Sequence, residues 1–415
     1  MRRWIESEHL TQHEGVTKKT RNHVEDLRGA SRLAIDATRG VTDLVEAMHR
    51  TIGGGPALLG RPLDGPTRLL TGLVYQSIRG VTRLVGASID VALAQLAPLL
   101  GESVPGPERE AMLAVLNGVL GDYLHETGNP LAIPMRLRRD GQPLVLEPQA
   151  LRAVLPNATG RLLVLVHGSC LHDRQWLRLG HDHGAALARD LGYTPLYLHY
   201  NSGLHISTNG RMLATQLEEI VAVWPVPLDE LVLVGHSMGG LVSRSACRAG
   251  QTAGHRWRGK LRALVCLGSP HHGAALERGG NWIDVLLGLS RYSAPFARLG
   301  KIRSAGVTDL RFGNVLDEHW EGRDRFAPGR DTRSALPLPD GVACYAVAGT
   351  TAAQPAARLP GDGLVSVDSA LGRHARAELS LAFPEHHQWI GFGIGHLELL
   401  GRSEVYDTIR RWLST

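Results

Sequence analysis

Cysteine, lysine and long apolar runs are all scarce in this chain. Its four cysteines, at positions 170, 247, 266 and 344 of 415, form no C-x-x-C pair. That spacing argues against a disulfide framework or a zinc site and fits a reducing compartment such as the cytoplasm. Only four of the 45 basic residues are lysine, and the net charge of +5 is spread along the chain. So small and diffuse an excess excludes nucleic acid as the main ligand. The uncharged apolar stretches at residues 69–78 and 91–101 are 10 and 11 residues long, whereas a spanning helix needs about 20. Residues 1–14 carry Arg2 and Arg3, then Glu6, Glu8 and Glu14, with no apolar centre. They do not resemble a secretory signal, so a cytoplasmic protein is expected. With 43% apolar and 20% charged residues the composition is that of a folded protein of more than one average domain.

Three textures follow one another along the chain. Residues 1–26 are polar, of mixed charge, and read as an arm. From Leu27 an 11-residue pattern repeats: LRGASRLAIDA at 27–37, TRGVTDLVEAM at 38–48 and, after a Gly/Pro-rich break, TRLLTGLVYQS at 67–77 and IRGVTRLVGAS at 78–88. Eleven residues in three turns is about 3.67 per turn, close to the straight helix, so an apolar stripe stays on one face. Amphipathic helices are therefore expected over roughly 27–50 and 66–99. Another is expected from about Glu108 to Glu126, stopped by Gly128-Asn129-Pro130. Beyond residue 130, short apolar runs alternate with helical segments. Strands are expected at 133–137, 143–146, 162–166, 195–200, 231–234, 261–267 and 342–347. Helices are expected at 183–191, 209–223, 238–248 and 403–412. Such alternation implies a mostly parallel sheet covered by helices on both faces. Residues 274–338 interrupt it with Trp282, an apolar helical stretch and Gly/Arg-rich segments, and read as an inserted cap.

The sharpest chemical signal is Gly235-His236-Ser237-Met238-Gly239, a G-x-S-x-G directly after one buried strand and directly before a helix. Small residues are needed there because the turn is tight. The turn presents the serine hydroxyl at a helix amino end, where the dipole favours developing negative charge. A serine needs a base, and the base an orienting carboxylate. For the base, His396 on the loop Gly393–Leu397 is preferred, with His386 and His387 as alternatives. For the acid, Asp362 between two glycines is preferred, with Asp368 as the alternative. Backbone donors for an oxyanion are expected from Met238 and from the loop His167-Gly168-Ser169-Cys170. Ser169 is the first candidate in that loop, and Cys170 stands behind it. No cofactor or metal is called for.

The stretches LLVLVHGSC at 162–170, LVLVGHSMGG at 231–240, LGSPHHG at 267–273, GDGLVSVDSAL at 361–371 and GHLELLG at 395–401 together resemble the α/β-hydrolase superfamily, and within it the bacterial lipase and esterase branch. The resemblance implies an α/β-hydrolase fold and a serine hydrolase. It makes Ser237 the nucleophile, Asp362 the acid, His396 the base, the amides of Ser169 and Met238 the oxyanion hole, and the residues after Gly273 a lid. This chain departs from related secreted lipases in two places. Asp368 stands where those often have a cysteine shortly after the D-G-L-V segment. Glu398 stands where those often have a calcium-binding aspartate, so no structural calcium is expected.

Two functions follow. One is a carboxylic-ester hydrolase acting through an acyl-enzyme on acyl lipids or other apolar esters, with Trp282, Val285, Leu286, Leu287 and Leu289 expected either to form an apolar acyl pocket or to pack as domain core. The other gives the main role to the amphipathic repeats, which would lie on a lipid or polymer-granule surface or pack against the hydrolase domain. Combined, they describe an intracellular lipase or polyester depolymerase held on its insoluble substrate.

Overall fold

Leucine and β-branched residues in short runs build the centre of the molecule, and glycines and prolines punctuate them. The computed structural model describes residues 107–274, 303–325 and 330–414. The repeats at 27–88 and the apolar stretch around Trp282 lie outside those residues. The chain divides into two units, Met1–Arg109 with Thr127–Leu131, and Glu110–Glu126 with Ala132–Thr415. In the first, the Asn129 side chain accepts a hydrogen bond from the Leu131 amide at 3.0 Å. Everything below concerns the second.

Eight strands form one sheet: β1 (Arg136–Arg139), β2 (Gln142–Pro143), β3 (Arg161–Val166), β4 (Thr194–His199), β5 (Glu230–His236), β6 (Leu261–Leu267), β7 (Ala343–Thr350) and β8 (Gln388–Phe392). Their spatial order is β2-β1-β4-β3-β5-β6-β7-β8. β1 runs antiparallel to β2 and β4, and every other pairing is parallel. Parallel strands buried on both faces read as continuous apolar runs, as in LVLV at 231–234 and LVCL at 264–267.

The helices are α1 (Pro107–Glu126), α2 (Pro148–Val154), α3 (His183–Leu191), α4 (Ile206–Ala222), α5 (Met238–Thr252), α6 (Ala305–Asp309), α7 (Val367–Ala370) and α8 (Ser403–Leu413). On one face of the sheet Leu163, Leu165, Val232, Val234, Val265 and Val347 meet α3 and α8. α3 begins where Asp182 accepts the Ala185 amide and ends at Gly192, whose φ is +69°. α8 presents Val405, Ile409, Trp412 and Leu413 along one buried stripe. The alternate residues Leu162, Val164, Leu231, Leu233 and Cys266 are buried on the opposite face, where Gly240 of α5 lies against the Cys266 sulfur. All four cysteines are free and buried. Burial pushes the thiols of Cys170 and Cys247 up to about 11 and that of Cys266 to about 12, and raises Cys344 as well.

α1 buries Leu116, Val119 and Leu124 and is also held by polar contacts. Its Asn117 accepts the Ile133 amide at 2.8 Å, and Gly121 O accepts from the Asn201 side chain at 2.8 Å. Gly203 closes this contact, because a Cβ there would lie 2.2 Å from Asn117 O and 2.7 Å from Gly121 N. Gly203→Ala must push α1 outward. Its expected cost is about 1–3 kcal/mol, measured as a lower urea midpoint with an unchanged slope.

Candidate active site

β5 delivers Ser237 into a turn with φ +53° and ψ −124°, and α5 starts at the next residue. Close approach of backbone to backbone makes the neighbouring glycines necessary. A Cβ on Gly235 would sit 2.4 Å from Gly240 N, and one on Gly239 only 2.1 Å from Val166 O. The Ser237 amide donates to Leu267 O at 2.8 Å, which fixes the turn to the end of β6. The side chain is only 3% exposed. The hydroxyl thus stands at the carboxyl edge of the sheet, at the positive end of α5.

Asp362 and His396 come from the loops after β7 and β8. Gly361 at φ +81° and Gly363 at φ +96° turn the chain on either side of Asp362. Its carboxylate is fully used: Oδ1 accepts the Leu364 and Val365 amides at 2.9 and 2.8 Å, and Oδ2 accepts His396 Nδ1–H at 2.7 Å. The His396 amide donates to Asp362 O at 3.0 Å. A carboxylate can only accept here, so Nδ1 carries the hydrogen and Nε2 the lone pair, the tautomer a general base needs. Gly268 lies against both groups, its hypothetical Cβ 3.1 Å from Asp362 Oδ2 and 3.3 Å from His396 Nδ1. Gly268 directly follows Leu267, which holds Ser237.

The other candidates lie elsewhere. The Asp368 side chain is 75% exposed and meets Arg373 at 3.7 Å. His386 is exposed, and His387 bonds Cys344 O at 3.1 Å. Glu398 is used locally, accepting the Gly395 amide at 2.7 Å and so closing the loop that carries His396.

The loop after β3 lies beside the serine: a Cβ on Gly168 would be 3.0 Å from Ser237 Cβ. The Cys170 amide is committed to Ser202 Oγ at 3.0 Å. The Ser169 amide makes no backbone hydrogen bond among the described residues. Met238, first in its helix, has an amide without an intrahelical acceptor. His167 stiffens this loop, its Nδ1 on Gly168 O at 2.8 Å and its ring stacked on Tyr200 at 4.4 Å. Burial lowers its pKa to about 3, so it stays neutral.

Sequence reasoning did not find the charged network behind this loop. Arg138 Nη1 donates to Glu110 Oε1 at 2.9 Å and Asp173 Oδ1 at 3.1 Å, and His199 Nδ1 lies 3.2 Å from the same Asp173 oxygen. Glu110, His172 and Asp173 offer ligand atoms within 4.8 Å of one another, but a cation would share those carboxylates with the guanidinium. A cavity of about 770 Å³ lies between α4, α5 and residues 334–340. Neither Ser237, Asp362 nor His396 lines it. Between β6 and β7, Asp309 meets the start of α4 by accepting the Ile206 amide at 2.9 Å. Arg333 joins the loop after β6 to the segment around Gly313 by donating to His271 O and Gly313 O at 3.2 and 2.8 Å.

The sequence profile of the PGAP1-like alpha/beta domain matches residues 157–333. The fold is that of an α/β hydrolase. The matched stretch holds the serine turn and the loop after β3 but is under half of the chain, and it ends before Asp362 and His396. No curated protein matches the chain. Among solved structures, the mature lipase BlEst2 of Bacillus licheniformis aligns at 17% identity over 68% of this chain and 98% of its own, with a TM-score of 0.41. The Pyrococcus furiosus esterase Pf2001 aligns at 14% identity over 62% of this chain and 83% of its own, with a TM-score of 0.38. Aspergillus fumigatus lipase B aligns at 11% identity over 61% and 52%, with a TM-score of 0.39. At such scores these likenesses do not say which reaction the site performs. Among the described residues no helix is long and apolar enough to cross a membrane.

Burial alone would raise the Asp173 carboxyl, yet the bond to His199 and the charge of Arg138 bring it from 3.8 down to about 2. A depressed carboxylate stabilises the fold above its unfolded pKa and loses that contribution as pH falls through the folded value. Asp173→Asn is therefore expected to cost on the order of 2 kcal/mol near neutral pH. Melting curves should show the difference shrinking as pH falls from about 4 to about 2.

Proposed function

We propose that this protein is a serine carboxylic-ester hydrolase acting on acyl lipids or other apolar esters. The observation that carries the reading is the 2.7 Å bond between His396 Nδ1 and an Asp362 whose other oxygen is held by two amides. That pair belongs to the same sheet edge as the strained Ser237. In the reaction Ser237 Oγ attacks the ester carbonyl while His396 Nε2 takes its proton. Asp362 holds the imidazole and stabilises the imidazolium that forms. The carbonyl oxygen gains charge in front of the amides of Met238 and Ser169, which need no reorganisation to receive it. His396 then gives its proton to the leaving alcohol. Water, deprotonated by the same histidine, releases the acid from the acyl-enzyme.

Hydrolysis of p-nitrophenyl esters from acetate to palmitate tests this. Ser237→Ala is expected to lose at least about a thousandfold in kcat/KM, and a mutant as active as the parent would reject the mechanism. Asp362→Asn leaves the fold intact but removes the anion that fixes the tautomer, and a loss of about 10⁴ in kcat at neutral pH is expected. The chain-length profile of the parent distinguishes a small-ester esterase from a lipase.

A further inference from the structure

His236 directly precedes the nucleophile, and its side chain has no part in the chemistry above. It is fully buried, and its Nε2 lies 3.0 Å from the backbone carbonyl of His396. A carbonyl only accepts, so Nε2 carries the hydrogen. The two imidazole rings lie 4.8 Å apart, tilted by 48°. On its other side the ring reaches the loop after β3, since a Cβ at Gly168 would come within 3.2 Å of Nδ1. The edge of the Trp176 ring faces it at 6.5 Å.

His396 is thus held at three points. Its ring bonds Asp362 Oδ2, its amide bonds Asp362 O, and its carbonyl receives His236 Nε2–H. The first two fix the base to the acid only. Both groups ride on loops after strands other than the one that carries the serine. The third ties the base to the residue beside Ser237 in the chain. Resting on the serine-hydrolase reading, we infer that His236 is a positioning residue, its Nε2–H to His396 O bond setting the base against the nucleophile. Burial, and then the charge of His396, drive its pKa well below 6.5. The ring therefore stays uncharged beside the base through the catalytic cycle.

The test separates the bond from the bulk of the side chain. A glutamine amide nitrogen reaches the place of Nε2, an asparagine amide nitrogen only that of Nδ1, and phenylalanine keeps the ring without a donor. On p-nitrophenyl butyrate, His236→Phe and His236→Asn are expected to lower kcat by about a hundredfold with KM unchanged, since a displacement near 1 Å costs about that much. His236→Gln should recover most of it. Proton NMR supplies a readout independent of turnover, through the far-downfield resonance of the proton between His396 Nδ1 and Asp362, identified by its loss in His396→Gln. That signal should stay sharp in His236→Gln and broaden by exchange in His236→Asn and His236→Phe. Equal kcat and equal resonances in all folded variants would overturn the positioning role. An inactive parent whose resonance still answers to the Asn and Gln variants would keep the positioning role and remove the hydrolase reading instead. Should His236→Phe fail to fold, the Asn and Gln pair decides alone.

Discussion

Everything at the sheet edge depends on a steric constraint, the closeness of three backbones around Ser237. Strand β5, the first turn of α5 and the end of β3 meet where Gly235 and Gly239 have no room for a Cβ. The chain can pass only by putting the serine at φ +53°, a conformation that costs about 1–3 kcal/mol for a residue with a side chain. The surrounding strands hold that strain in place: Ser237 N bonds the end of β6, and Leu231, Val232, Leu233 and Val234 are fully buried. Loosening this contact would leave the hydroxyl unaimed even with the other site residues intact.

Asp362 and His396 show the complementary strategy, with polar groups fixed by hydrogen bonds to their surroundings. Asp362 is buried, and a buried carboxylate needs partners on both oxygens. Two amides of its own turn and one imidazole supply them. The loop around His396 is closed by Glu398 on the Gly395 amide and by His236 on the His396 carbonyl. Under the proposed reaction, each of these polar atoms is thus held by a hydrogen-bonded neighbour, the condition for electrostatic preorganisation.

Much of this was legible in the chain. The run of apolar residues into Gly235–Gly239 marks both strand and turn, and the paired glycines around Asp362 mark a second turn. The α3 and β6 limits read from pattern match those observed, because Asp182 and Gly192 cap the helix and β6 is apolar but for Arg262. Strand β8 was not read. It is an edge strand, half exposed, with a glycine and no alternation, so its backbone pairing with β7 carries the information. The first strand starts at Arg136 rather than at 133, because the observed one is Arg-Leu-Arg-Arg, a segment between β2 and β4 whose charged side chains hide its pairing. α4 starts before residue 209, at Ile206, since His205 offers no side-chain cap to announce it. Glu110–Glu126 of α1 belong to the same unit as residues 132–415. Neither the His236 bond nor the Arg138 network could be found from spacing, because each joins residues far apart in sequence.

The buried thiols make the chain a recorder of its own opening. A thiol held well above its usual pKa and closed to solvent reacts slowly with alkylating reagents, so labelling reports exposure of each cysteine by local or global unfolding. Cys170 sits in the loop beside the serine, whereas Cys247, Cys266 and Cys344 lie around α5, β6 and β7. Alkylation timed under mild denaturant would therefore resolve two clocks in one molecule, one for the loop that faces the serine and one for the sheet beneath it.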